Sequence, residues 1–233
     1  MLRGAPRTAR AFPSNAFLWD DGGRRVLVDT GYAPLARYRG LRGGLYRRLL
    51  PPRLPDGGIA DRLDPSSVTD VILTHLHPDP GGGSDRFPHA RFVLSGGIAD
   101  TLARPRARDG VLRGLLPTWF PRADTRIVRE FGSGPHGLRG ADLFGDGSVT
   151  LVDLPGHARG HAGVLFAGRT LVAGDAAWGR DLLGEEHRMR RLPRAVAHDT
   201  DAASRTARAL LDAEADGVRL LFSHDRHPEG DLR

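Results

Sequence analysis

Val68-Thr69-Asp70-Val71-Ile72-Leu73-Thr74-His75-Leu76-His77-Pro78-Asp79-Pro80-Gly81-Gly82-Gly83 is the stretch whose reading decides the fold. Its first six residues are a short, largely apolar run, apt for a buried strand. His75 and His77, one residue apart at the strand's end, can both turn to one side as the chain leaves the sheet. Asp79 adds a hard oxygen ligand or a base, and the three glycines let the backbone turn tightly. The chain contains no cysteine, so thiolate ligands are excluded. Imidazole and carboxylate remain, a donor set suited to zinc or another divalent transition metal.

Working outward, other strand ends carry the same kind of residue. Ala16–Trp19 and Arg25–Val28 flank Asp20-Asp21-Gly22-Gly23, a strand, turn, strand signal whose second strand ends at Asp29-Thr30-Gly31. Arg91–Leu94 and Arg126–Phe131 read as further strands, and Ile98–Ala103 as a helix. Ser148–Leu154 alternates as a strand and is closed by Pro155-Gly156-His157. Gly163–Phe166 and Arg169–Ala173 form a hairpin closed by Gly174-Asp175. A helix capped by Asp199 or Thr200 runs to about Ala215, and Val218–Phe222 ends at Ser223-His224-Asp225. Two β-sheets sandwiched between helices fit this mixture better than a strict strand–helix alternation. Ala33–Leu50 reads as a helix broken near Gly40, Gly43 and Gly44 and stopped by Pro51-Pro52. Its Tyr38, Leu41, Leu45 and Tyr46 suggest either a flap over a pocket or simple packing on the sandwich.

Composition sets the broad class. At 233 residues and 39% hydrophobic content the chain is read as one domain over 1–233. No run approaches the ~18 apolar residues of a spanning helix, and Met1–Arg7 has no signal-like apolar stretch. The expectation is a soluble, cytoplasmic protein with no membrane partner. The net charge is +6, and all 34 basic residues are arginine. Such usage fits a GC-rich coding bias, so the charge is weak evidence for nucleic acid. The clusters Arg37, Arg39, Arg42, Arg47, Arg48 and Arg104, Arg106, Arg108 read as solvated surface, or as a rim attracting an anionic substrate.

Taken in order, Asp29-Thr30-Gly31, His75-Leu76-His77-Pro78-Asp79, Pro155-Gly156-His157, Gly174-Asp175 and His224 resemble the metallo-β-lactamase superfamily. The resemblance implies a four-layer αββα sandwich of mixed α/β (α+β) class. It also implies a single-domain hydrolase akin to glyoxalase II-like thioesterases and quorum-sensing lactonases. His75, His77 and His157 would hold a first metal, Asp175 would bridge, Asp79 and His224 would serve a second, and Asp29 would be structural.

Two positions depart from the family pattern. Where a second-metal histidine follows the aspartate, this chain has Pro80, which has no side-chain donor yet fits the first turn of a helix. One firmly held zinc is therefore expected, with a weak or missing second; iron or manganese could take its place. Three residues after Asp175, where lactonase-like members carry tyrosine, stands Trp178, whose indole donates but cannot release a proton. That turns the reading away from a lactonase in particular. His161 or His227 could replace the missing ligand, whereas His89, His136, His187 and His198 read as surface residues.

The function expected is hydrolysis of an ester, thioester or lactone by metal-activated water, with Asp79 as general base. The substrate would be a small molecule, possibly anionic or an acyl thioester. A non-hydrolytic cyclase or lyase and a metal-containing binding protein are the alternatives. Phosphodiester cleavage rests on charge alone.

Overall fold

The computed structural model describes residues 11–54, 58–106, 109–185, 188–189 and 197–227. The first sheet has the order β1-β2-β3-β4-β5: β1 Phe17–Asp20, β2 Arg25–Val28, β3 Asp70–Ile72, β4 Arg91–Ser95 and β5 Thr125–Val128. Its β1–β2 pair is antiparallel and the others are parallel. The second sheet runs β11-β10-β9-β8-β7-β6: β6 Gly132–Ser133, β7 Arg139–Asp142, β8 Val149–Asp153, β9 Ala162–Phe166, β10 Thr170–Gly174 and β11 Arg219–Phe222. All its pairs are antiparallel except β10–β11.

Alternating burial explains the layers. Val26, Val28, Ile72 and Val93 of the first sheet meet Val149, Leu151, Val164, Val172 and Leu221 of the second in one apolar seam. The opposite face of the first sheet, with Leu27, Val71, Leu73, Phe92 and Leu94, is covered by Ile98 of helix α3 (Gly96–Ala103) and by Phe87 and Phe120. The opposite face of the second sheet, with Val152, Leu165, Leu171 and Phe222, is covered by Ala207, Leu210 and Ala213 of helix α4 (Thr200–Ala215). This is the αββα sandwich. Truncating one of these aliphatic side chains to alanine costs about 2–5 kcal/mol in a core of this kind.

Parity of direction positions the site. β8 and β10 both pair antiparallel with β9, and β11 is parallel to β10. The C-terminal ends of β8, β10 and β11 therefore share one edge of their sheet, and those of β2 and β3 share one edge of the other. The two edges meet where the Ala162 N–H donates to the Thr74 carbonyl at 2.9 Å.

Helices α1 (Gly40–Leu49) and α2 (Pro78–Gly81) complete the α-helices among the described residues. The sequence reading placed breaks inside α1, but the helix starts at Gly40 and runs through Gly43 and Gly44. Gly43 faces inward, where a Cβ would stand 2.6 Å from the Tyr38 carbonyl carbon, so its bare backbone lets the helix lie down. Tyr38 and Tyr46 stack beneath it with centroids 5.7 Å apart. Leu41 and Leu45 point to solvent, whereas Tyr38 is buried against the protein.

Candidate metal centre

The candidate side chains sit within a few residues beyond a strand, except Asp79, which lies in α2. His75 and His77 follow β3, with His77 as N-cap of α2 and Pro78 at its first position, so the backbone turns at once. Gly82 and Gly83 let α2 press against the segment after β2, where added Cβ atoms would stand 2.2 Å from the Ala33 nitrogen and 2.3 Å from the Thr30 oxygen. His157 lies on a loop clasped by two helix N-termini. A Cβ on Gly156 would meet Ala203 at 2.4 Å, and one on Gly97 would meet Gly160 at 2.5 Å.

Two groups of donors converge. In one, ligand atoms of His75, His77 and His157 lie within 4.8 Å of one another; in the other, those of Asp79, Asp175 and His224 do so. His157 Nε2 is 3.0 Å from His77 Nδ1. Asp175 Oδ2 joins the groups, at 3.4 Å from His157 Nε2, 3.9 Å from His75 Nε2 and 3.1 Å from His224 Nε2. Asp79 Oδ2 stands 3.3 Å from His224 Nε2.

Hydrogen bonds set the tautomers. The Thr74 hydroxyl donates to Asp29 Oδ2 at 2.8 Å and lies 2.9 Å from His75 Nδ1. A hydroxyl whose proton is given to Asp29 must accept from His75, so His75 turns a bare Nε2 inward. Asp29 also accepts the Thr74 N–H at 2.8 Å, the structural part the sequence suggested. His224 Nδ1 is 2.6 Å from the Pro13 carbonyl and donates to it, which aims Nε2 at the two carboxylates.

His75 Nε2 and Asp175 Oδ1 are buried with no partner. An unmade bond to a buried polar atom costs about 1–3 kcal/mol. His75 Nε2 belongs to the group of three imidazoles, and the Asp175 carboxylate stands against that group through Oδ2, so a divalent cation held among them would satisfy the bare nitrogen. The residues present fit a metal.

Protonation agrees. Burial holds His75 and His157 well below the usual imidazole range, and lowers His77 for the same reason, leaving three neutral nitrogen donors. Burial alone would raise Asp175, but His224 and His157 outweigh it and hold the carboxyl well below its ordinary value. Burial opposes the charge on His224 too, yet the Asp175 and Asp79 carboxylates push it up to about 12. Asp29 goes the other way, pushed up to about 8 by burial and by Asp175 and Asp79 against the two Thr74 donors.

The suggested substitutes for a ligand at position 80 are engaged in other contacts. His161 Nε2 accepts the Asp175 N–H at 3.0 Å and its Nδ1–H donates to the Leu154 carbonyl at 2.8 Å, so both nitrogens are used. It fixes the backbone that carries Asp175. His227 Nε2 is 2.9 Å from the Phe222 carbonyl and its ring packs on Phe17. His89 and His198 are exposed, as expected, whereas His136 is half-buried with Nε2 on the Gly168 carbonyl at 2.8 Å. His187 lies outside the described residues.

Three neighbours escaped the sequence reading. Asp109 is buried, takes the Arg106 N–H at 2.6 Å on Oδ2, and leaves Oδ1 without a partner. Gly110, at φ +68°, lies so close that a Cβ would stand 2.7 Å from His77 Nε2. Tyr32, directly after Asp29-Thr30-Gly31, has its hydroxyl raised first by burial and then by Asp79. Only Tyr32 had a sequence signal, its place beyond a strand end. Trp178 and Phe12 form an apolar wall, with the indole edge-on to His224 at 6.3 Å and to Phe12 at 5.8 Å.

The family model for the metallo-beta-lactamase superfamily matches residues 9–224. The N-acyl homoserine lactonase AttM of Azorhizobium caulinodans is 29% identical over 224 residues, covering 88% of this chain and 76% of that protein. A probable metallo-hydrolase of Mycobacterium tuberculosis, Rv2300c, is 32% identical over 222 residues, covering 88% and 68%. Among solved structures, an N-acyl homoserine lactone hydrolase with N-hexanoyl-L-homoserine at its metal centre superposes with TM-score 0.71 at 20% identity, over 95% of this chain and 85% of that one. AidC, a dizinc quorum-quenching lactonase, superposes with TM-score 0.60 at 18% identity, over 90% and 71%. A match across nearly the whole described chain, over a sandwich that brings these imidazoles and carboxylates to one edge, leaves no other reading: the chain belongs to the metallo-beta-lactamase superfamily, as one of its metal-dependent hydrolases.

Proposed function

We propose that the chain hydrolyses a carboxylic ester of the lactone class, with open-chain esters and thioesters as secondary substrates. The observation that carries this reading is the position of Asp175 Oδ2, within 3.9 Å of imidazole nitrogens from both donor groups. The kinship to AttM lactonases makes a lactone the first candidate and outweighs the inference from Trp178.

His75, His77 and His157 would hold the first metal; Asp175, Asp79 and His224 are the donors left for a second, a set that Pro80 weakens and that leaves Asp79 free to act as a base. Bound there, zinc supplies a Lewis acid and brings the ionisation of water to about pH 7. Asp79 directs a carboxylate oxygen at the attacking water and accepts its proton as the oxygen adds to the carbonyl carbon. The ring C–O bond then breaks and Asp79 returns that proton to the departing alkoxide, so no net proton is lost within the step. Trp178 and Phe12 offer an apolar surface to the substrate's carbon skeleton.

The test is turnover of N-acyl homoserine lactones, aryl esters and acyl thioesters by the metal-loaded protein, followed by proton release. Lactone opening that disappears in Asp175→Asn supports the reading. A fully metallated protein that turns over none of these substrates would overturn it and favour the cyclase or lyase alternative.

A further inference from the structure

Among the described residues, all the large exposed apolar side chains but Ile127 fall between Leu35 and Leu50. Leu41 is 91% exposed, Leu45 53% and Leu49 66%. They recur at every fourth position of α1, so they form a stripe spanning about 80° of the helix circumference at 3.6 residues per turn. By the same geometry Arg48 borders one side of the stripe and Arg42 the other. The opposite face, with Gly43 and Tyr46, is the one that packs on the protein.

The charge around the stripe has one sign. Six arginines and no acidic residue occur from Tyr32 to Leu54. Arg37 is paired with Asp85 at 3.0 Å and Arg39 donates to the Ala36 carbonyl at 3.1 Å. Arg42, Arg47, Arg48 and Arg53 are exposed, and among the described residues none pairs with a carboxylate. Arginines alone would be a solvated surface, and leucines alone would be open to any apolar partner. Together on a short convex helix they have the layout of a segment lying in a headgroup plane, leucines down and guanidinium groups level with the phosphates.

We propose that α1 docks the protein on an anionic phospholipid surface. Charge complementarity decides among occupants. A second copy of this chain applied symmetrically would set the arginines flanking one stripe against those flanking the other, a like-charge contact. No helix among the described residues is long and apolar enough to cross a membrane, so the contact is peripheral. The expectation of no membrane partner considered spanning segments and charge, and could not know that the leucines face outward. The docking does not depend on the hydrolase reading.

Flotation of the full chain with vesicles of phosphatidylglycerol and phosphatidylethanolamine, against vesicles of phosphatidylcholine, tests the proposal. Binding should be confined to the anionic vesicles and weaken as salt rises. Leu41→Asp with Leu45→Asp should lower it about tenfold or more. Arg42→Glu with Arg48→Glu should lower it about fivefold or more per residue. The replaced side chains face solvent, so metal content, melting temperature and turnover of a water-soluble ester should not change. Absence of binding to anionic vesicles would overturn the proposal. So would binding that survives the aspartate variant, which would reduce the patch to a charge surface open to any polyanion. A dimer in light scattering that Leu41→Asp converts to monomer, without vesicle binding, would make the stripe a contact between copies instead.

Discussion

His224 presents Nε2 to Asp175 Oδ2 at 3.1 Å while its Nδ1 is spent on the Pro13 carbonyl. With both carboxylates beside it, the metal-free ring keeps its proton up to about pH 12. To ligate a metal it must lose that proton, whereas His75, His77 and His157 are already neutral at pH 7. Proton competition therefore falls on one donor group only. Chelator-buffered titrations at pH 6, 7 and 8 should show a second binding step that strengthens about tenfold per pH unit and a first step nearly independent of pH. A flat second step would remove His224 from the ligand set. The same raised value stabilises the metal-free fold fully below the unfolded pKa near 6.5, and the contribution fades as pH climbs, to be lost through about 12.

Thr74 separates a ligand from its support. Its hydroxyl links Asp29 to His75 Nδ1 and so fixes which nitrogen faces inward. Thr74→Val keeps the shape and deletes the link, which should weaken metal binding about 10–100-fold. His77→Ala removes a donor outright and should cost more than that, leaving two imidazoles. Competition against a fluorescent chelator measures both. Equal affinities in the wild-type and His77→Ala proteins would refute the assignment.

Gly110 is a steric test of the same ring. At φ +68°, with space for a Cβ only 2.6 Å from His77 Cδ2, it admits no side chain without displacing the imidazole. Gly110→Ala should lose metal affinity by tenfold or more, and a side chain at positive φ should also cost the metal-free fold about 1–2 kcal/mol. Gly114→Ala has open space at its Cβ and is the control. Matching affinities in the two variants would place the 109–110 segment away from His77 in solution.

Much of this centre was legible because its donors sit at ends of apolar strands. Ile72, Val152, Ala173 and Phe222 each lead within a few residues to a histidine or aspartate, and the antiparallel parity of β8 to β10 sends those ends to one edge. Asp199 was readable as a cap and does accept the Asp201 and Ala202 N–H groups. Strands β6 and β7 were missed, because Gly132-Ser133 and Arg139-Gly140-Ala141-Asp142 carry almost no apolar alternation; β7 is held by its pairing with β8, and β6 by its pairing with β7. Asp109 was missed inside an arginine-rich connection, where a carboxylate looks like a surface counter-charge until the fold buries it. Nor could the sequence orient α1, since Leu41 and Tyr46 look equally apolar and only the contact of Gly43 with Tyr38 decides which faces in.

Pro80 gives the sharpest test of metal number. Fully buried within α2, it contributes only its carbonyl, which takes the Thr30 N–H and the Thr30 hydroxyl, each at 2.7 Å. That role belongs to the backbone and survives any side chain. Asp79, Asp175 and His224 alone form a donor set with one imidazole, and that imidazole is protonated without metal. Purified protein should hold about one zinc per chain, since a four-donor site is the usual requirement for tight binding. Pro80→His adds a second imidazole one residue after Asp79 and should bring the content towards two zincs, read by elemental analysis after dialysis. Catalysis need not rise with it: if Asp79 is the base, drawing it into coordination should slow lactone opening even as metal content increases. Two tightly held zincs in the unmodified protein would show that two carboxylates and His224 suffice. An unchanged count in Pro80→His would mean that residue 80 does not face the second donor group.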